Sequence, residues 1–178
     1  NDEPTFENTI LAYDNAGQML AQTELIFGML CAAETNERMQ ALQEQVMPLL
    51  SAHRDKIRLD EKLFARVKDV YDRRASLGLD AEQSRLLRKT YDAFVRSGAL
   101  LDAGQKARLK EINGELSLTA VKFGNNILAE NNNFALELTA DDLEGLPSGV
   151  RDAAREKAQA MGKGDKWVFT LHKPSLIP

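Results

Sequence analysis

Residues 101–133, LDAGQKARLKEINGELSLTAVKFGNNILAENNN, constrain the fold more than any other part of the chain. Leu109, Ile112, Leu116, Ala120, Phe123 and Ile127 recur in steps of three and four, which places them on one side of an α-helix. Asp102 is positioned to cap that helix, and Gln105 can reach back to the cap's own N–H as in a capping box. Lys106, Arg108, Lys110, Glu111 and Glu115 fall on or beside the opposite face, where water is expected to solvate them. The run Asn131-Asn132-Asn133 suits a terminator, because Asn tolerates the left-handed conformation that ends helices. At 1.5 Å per residue the helix is about 45 Å long. Such a helix is marginal alone, so other helices must lie along it, and its apolar face is expected to be buried throughout.

The remaining sequence supplies those helices. Thr5 caps a helix over residues 6 to about 33, with Phe6, Ile10, Tyr13, Gly17, Leu20 and Phe27 on one stripe. Gly17 and Gly28 each cost about 1 kcal/mol relative to Ala inside a helix, and close approach of a neighbouring helix is the expected reason for both. A second helix starts near Asn36 and carries Met39, Leu42 and Val46. Pro48 lacks a donor and clashes with the preceding turn, so a break or kink is expected there. A shorter helix with Leu49, Leu50, His53 and Ile57 then follows. Asp60 opens a helix with Leu63, Phe64, Val67, Val70 and Tyr71 inward, and Gly78 stops it. Asp80 and Gln83 repeat the capping box before Leu86, Leu87, Tyr91, Phe94 and Val95, and Gly98 ends that helix.

Beyond the Asn run the period changes. Phe134, Leu136 and Leu138 alternate with Ala135 and Glu137, which reads as a strand. Residues 141–146 form a turn, Pro147 starts a helix through Met161, and residues 162–165 are a loop. Residues 167–171, WVFTL, are a second strand, pairing antiparallel with the first. A two-stranded ribbon alone is marginal in water and needs cover. The fold class is mainly α: a multi-helix bundle of long amphipathic helices with a small two-stranded β element near the C-terminus. One domain over residues 1–178 is expected, with no fixed period that would make a solenoid.

Composition narrows the function classes. A net charge of −4 carries no basic footprint, which argues against nucleic acid as a partner. The apolar run around residues 25–33 is too short to span a bilayer and contains Gly28, which argues against a membrane segment. With 43% hydrophobic and 28% charged residues, the chain lies far from the disordered class. Its single cysteine, Cys31, excludes an internal disulfide and is expected to be a small buried hydrophobe. The start at Asn1-Asp2-Glu3 without Met, and the apolar trio Leu176-Ile177-Pro178 right after a strand, suggest a piece of something longer.

No chemistry follows from these residues. Neither His53 nor His172 sits in HExxH, the helical spacing that holds zinc with two His and supplies a Glu base. His53 is expected to be a satisfied core or interface histidine, and nothing in the sequence brings a histidine to Cys31. Gly162-Lys163-Gly164 lacks the Walker spacing and reads as a turn. Glu111 with Glu115, Glu37 with Glu44, and Glu130 are explained by a solvated charge face. The catalytic, cofactor-binding and metal-binding sets are therefore each none.

Four segments in order, PTFENTI at 4–10, AHRDKIRLDEKLFARVKDVYDRR at 52–74, LRKTYDAFVRSGALLDAGQKARLKEINGELS at 87–117 and KWVFTLHKPS at 166–175, carry a resemblance over nearly the whole chain. The chain resembles the N-terminal region of the thimet-oligopeptidase-like zinc metallopeptidases, in particular their bacterial peptidyl-dipeptidase (dipeptidyl carboxypeptidase) branch, with oligopeptidase A as a near relative. The resemblance implies a longer, mostly helical enzyme of two lobes around a deep channel. A later helix would carry HExxH, and a further Glu would complete the site of one zinc ion. Zinc would polarise a water that the HExxH Glu deprotonates for attack on a peptide carbonyl, and the branch releases C-terminal dipeptides.

This chain stops before that motif, and His53 and His172 do not match the family's ligands, so no catalytic role is carried onto any residue. The expectation is an N-terminal, non-catalytic lobe, inactive alone, that walls the substrate channel and restricts access to short peptides. Its partners would be the catalytic lobe of the same polypeptide and an oligopeptide substrate, with zinc only in the parent enzyme. Surface left bare is expected to promote self-association, with contacts or disorder at the C-terminal strand. The cytoplasm is the expected compartment and the periplasm the alternative. The competing reading is a stand-alone helical scaffold or adaptor, which composition alone favours and the strand-ended C-terminus argues against. A small-molecule-binding bundle is set aside, since no polar cluster is expected to face inward.

Overall fold

Side-chain caps mark the helix starts in the computed structural model, which describes residues 2–176. Asn8 N–H donates to Thr5 Oγ1 at 3.1 Å while Thr5 N–H donates to Asn8 Oδ1 at 2.8 Å. That box opens a π-helical turn, Phe6–Leu11, which passes into the short helix α1, Ala12–Asp14. The helices α2 (Gln18–Ala33), α3 (Glu37–Arg58), α4 (Glu61–Asp72), α5 (Ala81–Arg96) and α6 (Ala103–Asn133) follow. Asn36, Asp60 and Asp80 each accept the N–H three residues on, at 3.0, 2.7 and 2.8 Å. Asp102 does the same for Gln105 at 2.8 Å, and Gln105 Oε1 accepts the Asp102 N–H in return. The strand β1 (Leu136–Leu138), helix α7 (Ser148–Ala160), strand β2 (Trp167–Phe169) and helix α8 (Lys173–Leu176) complete the chain. The mainly helical class with a small antiparallel ribbon is as expected.

The backbone packs as two compact units, residues 1–121 and residues 122–178. In the first, α4 and α5 turn toward each other and the π-helical turn lies against both. The core comprises Phe6, Ile10, Phe64, Val67, Val70, Leu87, Phe94 and Ala99. Phe94 has no exposed surface, and its ring lies 5.4 Å from Tyr13 and 6.0 Å from Phe64, centroid to centroid. Tyr71 and Tyr91 stack at 3.9 Å. Two arginines on and after α4 hold the leading segment: Arg66 donates to Asp2 O at 2.8 Å and Asn8 Oδ1 at 2.9 Å. Arg73 donates to Pro4 O at 2.6 Å and pairs with Glu3 at 2.9 Å.

Several expectations for this unit change. The single helix over residues 6–33 is interrupted before Gln18, where Gly17 adopts φ +76°. A Cβ added to Gly17 or Gly28 would meet no atom within 4 Å, so close approach of a neighbour explains neither glycine. Gly17 is needed for its left-handed backbone. No physical account of Gly28 follows from its surroundings. Pro48 causes no break: α3 runs through it as one helix of 22 residues. The proline forfeits a single i→i−4 bond, and the turns on either side keep theirs. At the far end, α4 stops at Asp72, and a 3₁₀ turn, Arg74–Ser76, precedes Gly78. Cys31 is half-buried rather than enclosed.

The largest correction concerns α6. Its apolar stripe is not buried throughout: Leu116 is 62% exposed and Phe123 65%, with Ile112 and Ile127 also exposed. Val121, off that stripe, is buried instead. Lys106, expected in water, is buried with its Nζ 3.1 Å from Glu61 Oε1. Periodicity says which residues share a face; a neighbour must exist for that face to be covered. The same holds for α2, where Met19 is 82% exposed and Leu25 and Met29 are also exposed.

In the second unit β1 and β2 pair antiparallel with Leu136 opposite Phe169, Glu137 opposite Val168 and Leu138 opposite Trp167. Both strands are three residues long, shorter than the alternating pattern suggested, and Phe134 lies outside β1 and is exposed. Helix α7 packs against β2, with Ala154, Ala158 and Val168 buried. The Arg155 guanidinium lies 5.2 Å from the Trp167 ring. The end Ile177-Pro178, read above as part of an apolar trio, lies outside the described residues.

One cross-ribbon ion cluster has a pH signature. Glu137 accepts from Lys163 and, at 2.7 Å, from Lys166. Hydrogen bonds from Lys163 and then Lys166 lower its carboxyl from 4.5 to about 2. A carboxylate with a depressed folded pKa stabilises the fold above its unfolded pKa and loses that contribution as pH falls through the folded one. Stability read by Trp167 fluorescence is therefore expected to decline between pH 4.5 and about 2, and Glu137→Gln to flatten that decline. The cluster is open to solvent, so the effect is small and weakens with salt. An identical acid slope in the variant would assign the loss to other carboxylates.

Candidate functional site

The first unit carries an open cleft of about 1370 Å³ between α2, α3, α5 and the part of α6 up to Val121. Its spacing is held by polar ties from α3. Asp55 Oδ1 accepts from Asn113 Nδ2 on α6 at 2.8 Å, and Ser51 Oγ donates to the Asn113 carbonyl at 3.4 Å. Arg54 on α3 pairs with Glu24 on α2. Leu20, Met47, Ile57, Leu109, Leu116 and Val121 give the cleft an apolar lining.

Charged groups converge on this space from three helices. Arg54 and Arg58 come from α3, and Arg88, Lys89 and Arg96 from α5, against the carboxylates Glu24, Asp55 and Asp92. The balance is an excess of two positive charges, in a chain whose net charge is −4. Arg58 is anchored from below by the core. Its guanidinium carbon lies 5.2 Å from the Phe94 ring and 5.5 Å from the Tyr13 ring. Its Nη1 is buried, and among the described residues nothing accepts from it. A buried guanidinium N–H without an acceptor has lost its water and gained nothing in return.

This cluster was missed in the sequence, where no inward polar group was expected. A signal was present: Arg54 and Arg58, and Arg88, Asp92 and Arg96, are each spaced by four, which stacks them along one helix face. They fall beside the apolar stripes that were read as the helices' only buried faces. A smaller crevice of about 740 Å³ between α3, the start of α4 and α6 is lined by Lys56, Lys62, Lys106 and Lys110 with Asp55, Asp60 and Glu61.

The residues weighed from sequence are not gathered into one site. His53 lines the cleft but is exposed, not a satisfied core histidine, because α3 there faces open space rather than a neighbouring helix. His172 is exposed beyond β2, in the other unit. Cys31 lies on α2, and burial pushes its thiol pKa up, away from nucleophilic character. Glu111 pairs with Arg108 at 2.9 Å, and Glu37, Glu44, Glu115 and Glu130 are exposed. Lys163, in the glycine-flanked turn, is engaged by Glu137. Among the described residues no three His, Cys, Asp or Glu side chains are placed to hold a metal ion. These residues do not fit a zinc site of the kind the resemblance implies for the parent family.

Comparison with known proteins agrees with the resemblance. Over 94% of its length the chain is 37% identical to the dipeptidyl carboxypeptidase of Escherichia coli (strain K12), and equally to that of Salmonella typhimurium (strain LT2). It is 24% identical over 99% of its length to a thimet-like oligopeptidase of Dictyostelium discoideum. The chain spans about a quarter of the length of these relatives, 25%, 25% and 26%. No family model matches the chain.

Proposed function

We propose that this chain, similar along nearly its whole length to peptidases of the thimet-oligopeptidase-like group, is a non-catalytic N-terminal lobe of an oligopeptide-cleaving zinc metallopeptidase of the peptidyl-dipeptidase type. The observation that carries the reading is the match at 37% identity across 94% of the chain. In this role the helices wall a channel and restrict it to short, flexible peptides, while HExxH, the zinc ion and the general base belong to a catalytic lobe of the same polypeptide. The unpartnered apolar faces support a surface built to meet more protein. On α2 they include Met19, Leu25, Ile26 and Met29, and on α6 Leu116 and Phe123. The cytoplasm is the compartment we assign to the parent enzyme. Among the described residues no helix is long and apolar enough to cross a membrane.

Two measurements test this function. The chain incubated with zinc and a short peptide is expected to show no hydrolysis; robust release of dipeptides would overturn its non-catalytic status. In the longer parent, shortening the α2–α3 hairpin is expected to admit larger substrates, and unchanged size selectivity would count against the wall role. The bare α2 face equally favours the second reading, a helical adaptor that docks partner helices. The gene beyond codon 178 separates the two: an HExxH further on supports the peptidase, and a stop codon there supports the adaptor.

A further inference from the structure

We propose that the cleft between α2, α3, α5 and α6 binds an acidic oligopeptide, whose carboxylates are received by Arg58, Arg88, Lys89 and Arg96. The peptide nature of the ligand rests on the function proposed above; its acidic character rests on the cleft alone. Pockets for small ligands occupy about 300–1,000 Å³ and enclose them. This one is larger, at about 1370 Å³, and open to solvent, which suits a segment of polypeptide.

Charge selects the kind of peptide. Arg54 is already neutralised by Glu24, and Asp55 is engaged by the Asn113 amide. Arg58, Arg88, Lys89 and Arg96 have no ion-pair partner among the described residues. Asp92, between Arg88 and Arg96 on α5, and Asp55, whose amide partner leaves its charge intact, offset two of the four charges and leave an excess of two. Arg58 is the fixed element, since two aromatic rings hold its planar guanidinium and leave the buried Nη1 without an acceptor. The other guanidinium nitrogens are not enclosed and make no hydrogen bond among the described residues, so a carboxylate in the cleft would be received there in a charge-assisted hydrogen bond. Arg88, Lys89 and Arg96 are exposed and free to adjust to side chains at different spacings. The apolar lining, with Met47, Leu109 and Val121, takes the ligand's alternate apolar residues. A local positive field in a chain of net charge −4 focuses an acidic ligand on the cleft.

The test uses three labelled decapeptides of matched length, alternating Leu with Glu, Gln or Lys, and reads fluorescence anisotropy against the 178-residue chain. The acidic peptide is expected to bind about tenfold tighter than the neutral one, the basic peptide most weakly, with the preference shrinking as salt rises. The triple variant Arg88→Gln/Lys89→Gln/Arg96→Gln, confined to exposed positions, is expected to abolish the preference. Arg58→Gln should weaken acidic-peptide binding about fivefold with the far-UV spectrum unchanged. Equal binding of acidic and neutral peptides, no binding at all, or a preference that survives the triple variant would each overturn the proposal. If Arg58→Gln fails to fold, the triple variant alone decides. None of these readouts involves hydrolysis or size selectivity, so their failure leaves the channel-wall function to be judged by its own assays.

Discussion

Phe94→Ala is expected to destabilise the first unit by about 3–5 kcal/mol, the range for removing a buried phenylalanine from a close-packed core. Phe94 is fully buried at the meeting point of Tyr13 and Phe64, so truncation removes both its own burial and one side of two aromatic contacts. It also strips one of the two rings beneath Arg58, which couples this core position to the cleft. The residue sits on α5 where the π-helical turn and α4 both pack, so no single element can move to refill the space without dragging another. All three tyrosines, Tyr13, Tyr71 and Tyr91, belong to this unit, so tyrosine near-UV dichroism in a urea titration reports its unfolding. Phe94→Leu should lose much less, since most of the volume stays. A loss below about 1 kcal/mol for the alanine variant would mean that the site collapses freely and that the core is centred elsewhere.

Gly98→Val is expected to cost about 2–5 kcal/mol, the sum of a left-handed backbone penalty and a steric one. Gly98 adopts φ +95°, and two hydrogen bonds close the end of α5 around it: Ala99 N–H to Phe94 O and Gly98 N–H to Val95 O, both 3.0 Å. That pair is the Schellman arrangement, which requires a left-handed residue at this position. A Cβ there would lie 2.7 Å from Leu109 Cδ2 and 2.9 Å from Leu101 Cδ1, closer than real Cβ atoms come. Both neighbours are the ends of leucine side chains that flank the start of α6, so the new side chain must push these two leucines out of their present packing. Gly17→Ala is the control: its φ is +76°, but nothing lies within 4 Å of an added Cβ, so only the backbone cost of about 1–2 kcal/mol applies. Equal losses at the two positions, measured by the same titration, would show that the contact with Leu109 costs nothing.

The parts of the fold that were legible share a short range. Thr5, Asn36, Asp60, Asp80 and Asp102 cap helices through bonds to residues three positions on, so each start can be read from four consecutive residues. Gly98 ends α5 for an equally local reason. The period of two in FALEL located the first strand, and the apolar run WVFTL was expected as its antiparallel partner, although the paired lengths are only three residues each. The misreadings also have local causes. Pro48 was weighed by its own lost bond, whereas the 22-residue helix around it retains the bonds of its other turns. Gly17 was assigned to crowding, whereas the chain changes direction there.

The cleft was not legible as a site, because its charged groups come from helices separated by tens of residues. Arg54 and Arg58 on α3 share space with Arg88 and Arg96 on α5 only after α4 has folded the chain back. The spacing by four within each helix was visible; their convergence was not.

By itself the sequence determined the capped helix starts, which residues share a face, and the similarity to thimet-oligopeptidase-like peptidases. Caps, glycine ends and the 3.6-residue period all act within one or two turns, so a short window contains their cause. Only the tertiary structure decided which faces are covered. The stripe from Leu109 to Ile127 satisfies every rule for a buried helix face, yet Leu116 and Phe123 stand mostly in solvent while Lys106 is enclosed beside Glu61. Burial depends on whether a distant part of the chain lies against a face, and that is settled by long-range packing that no single helix encodes.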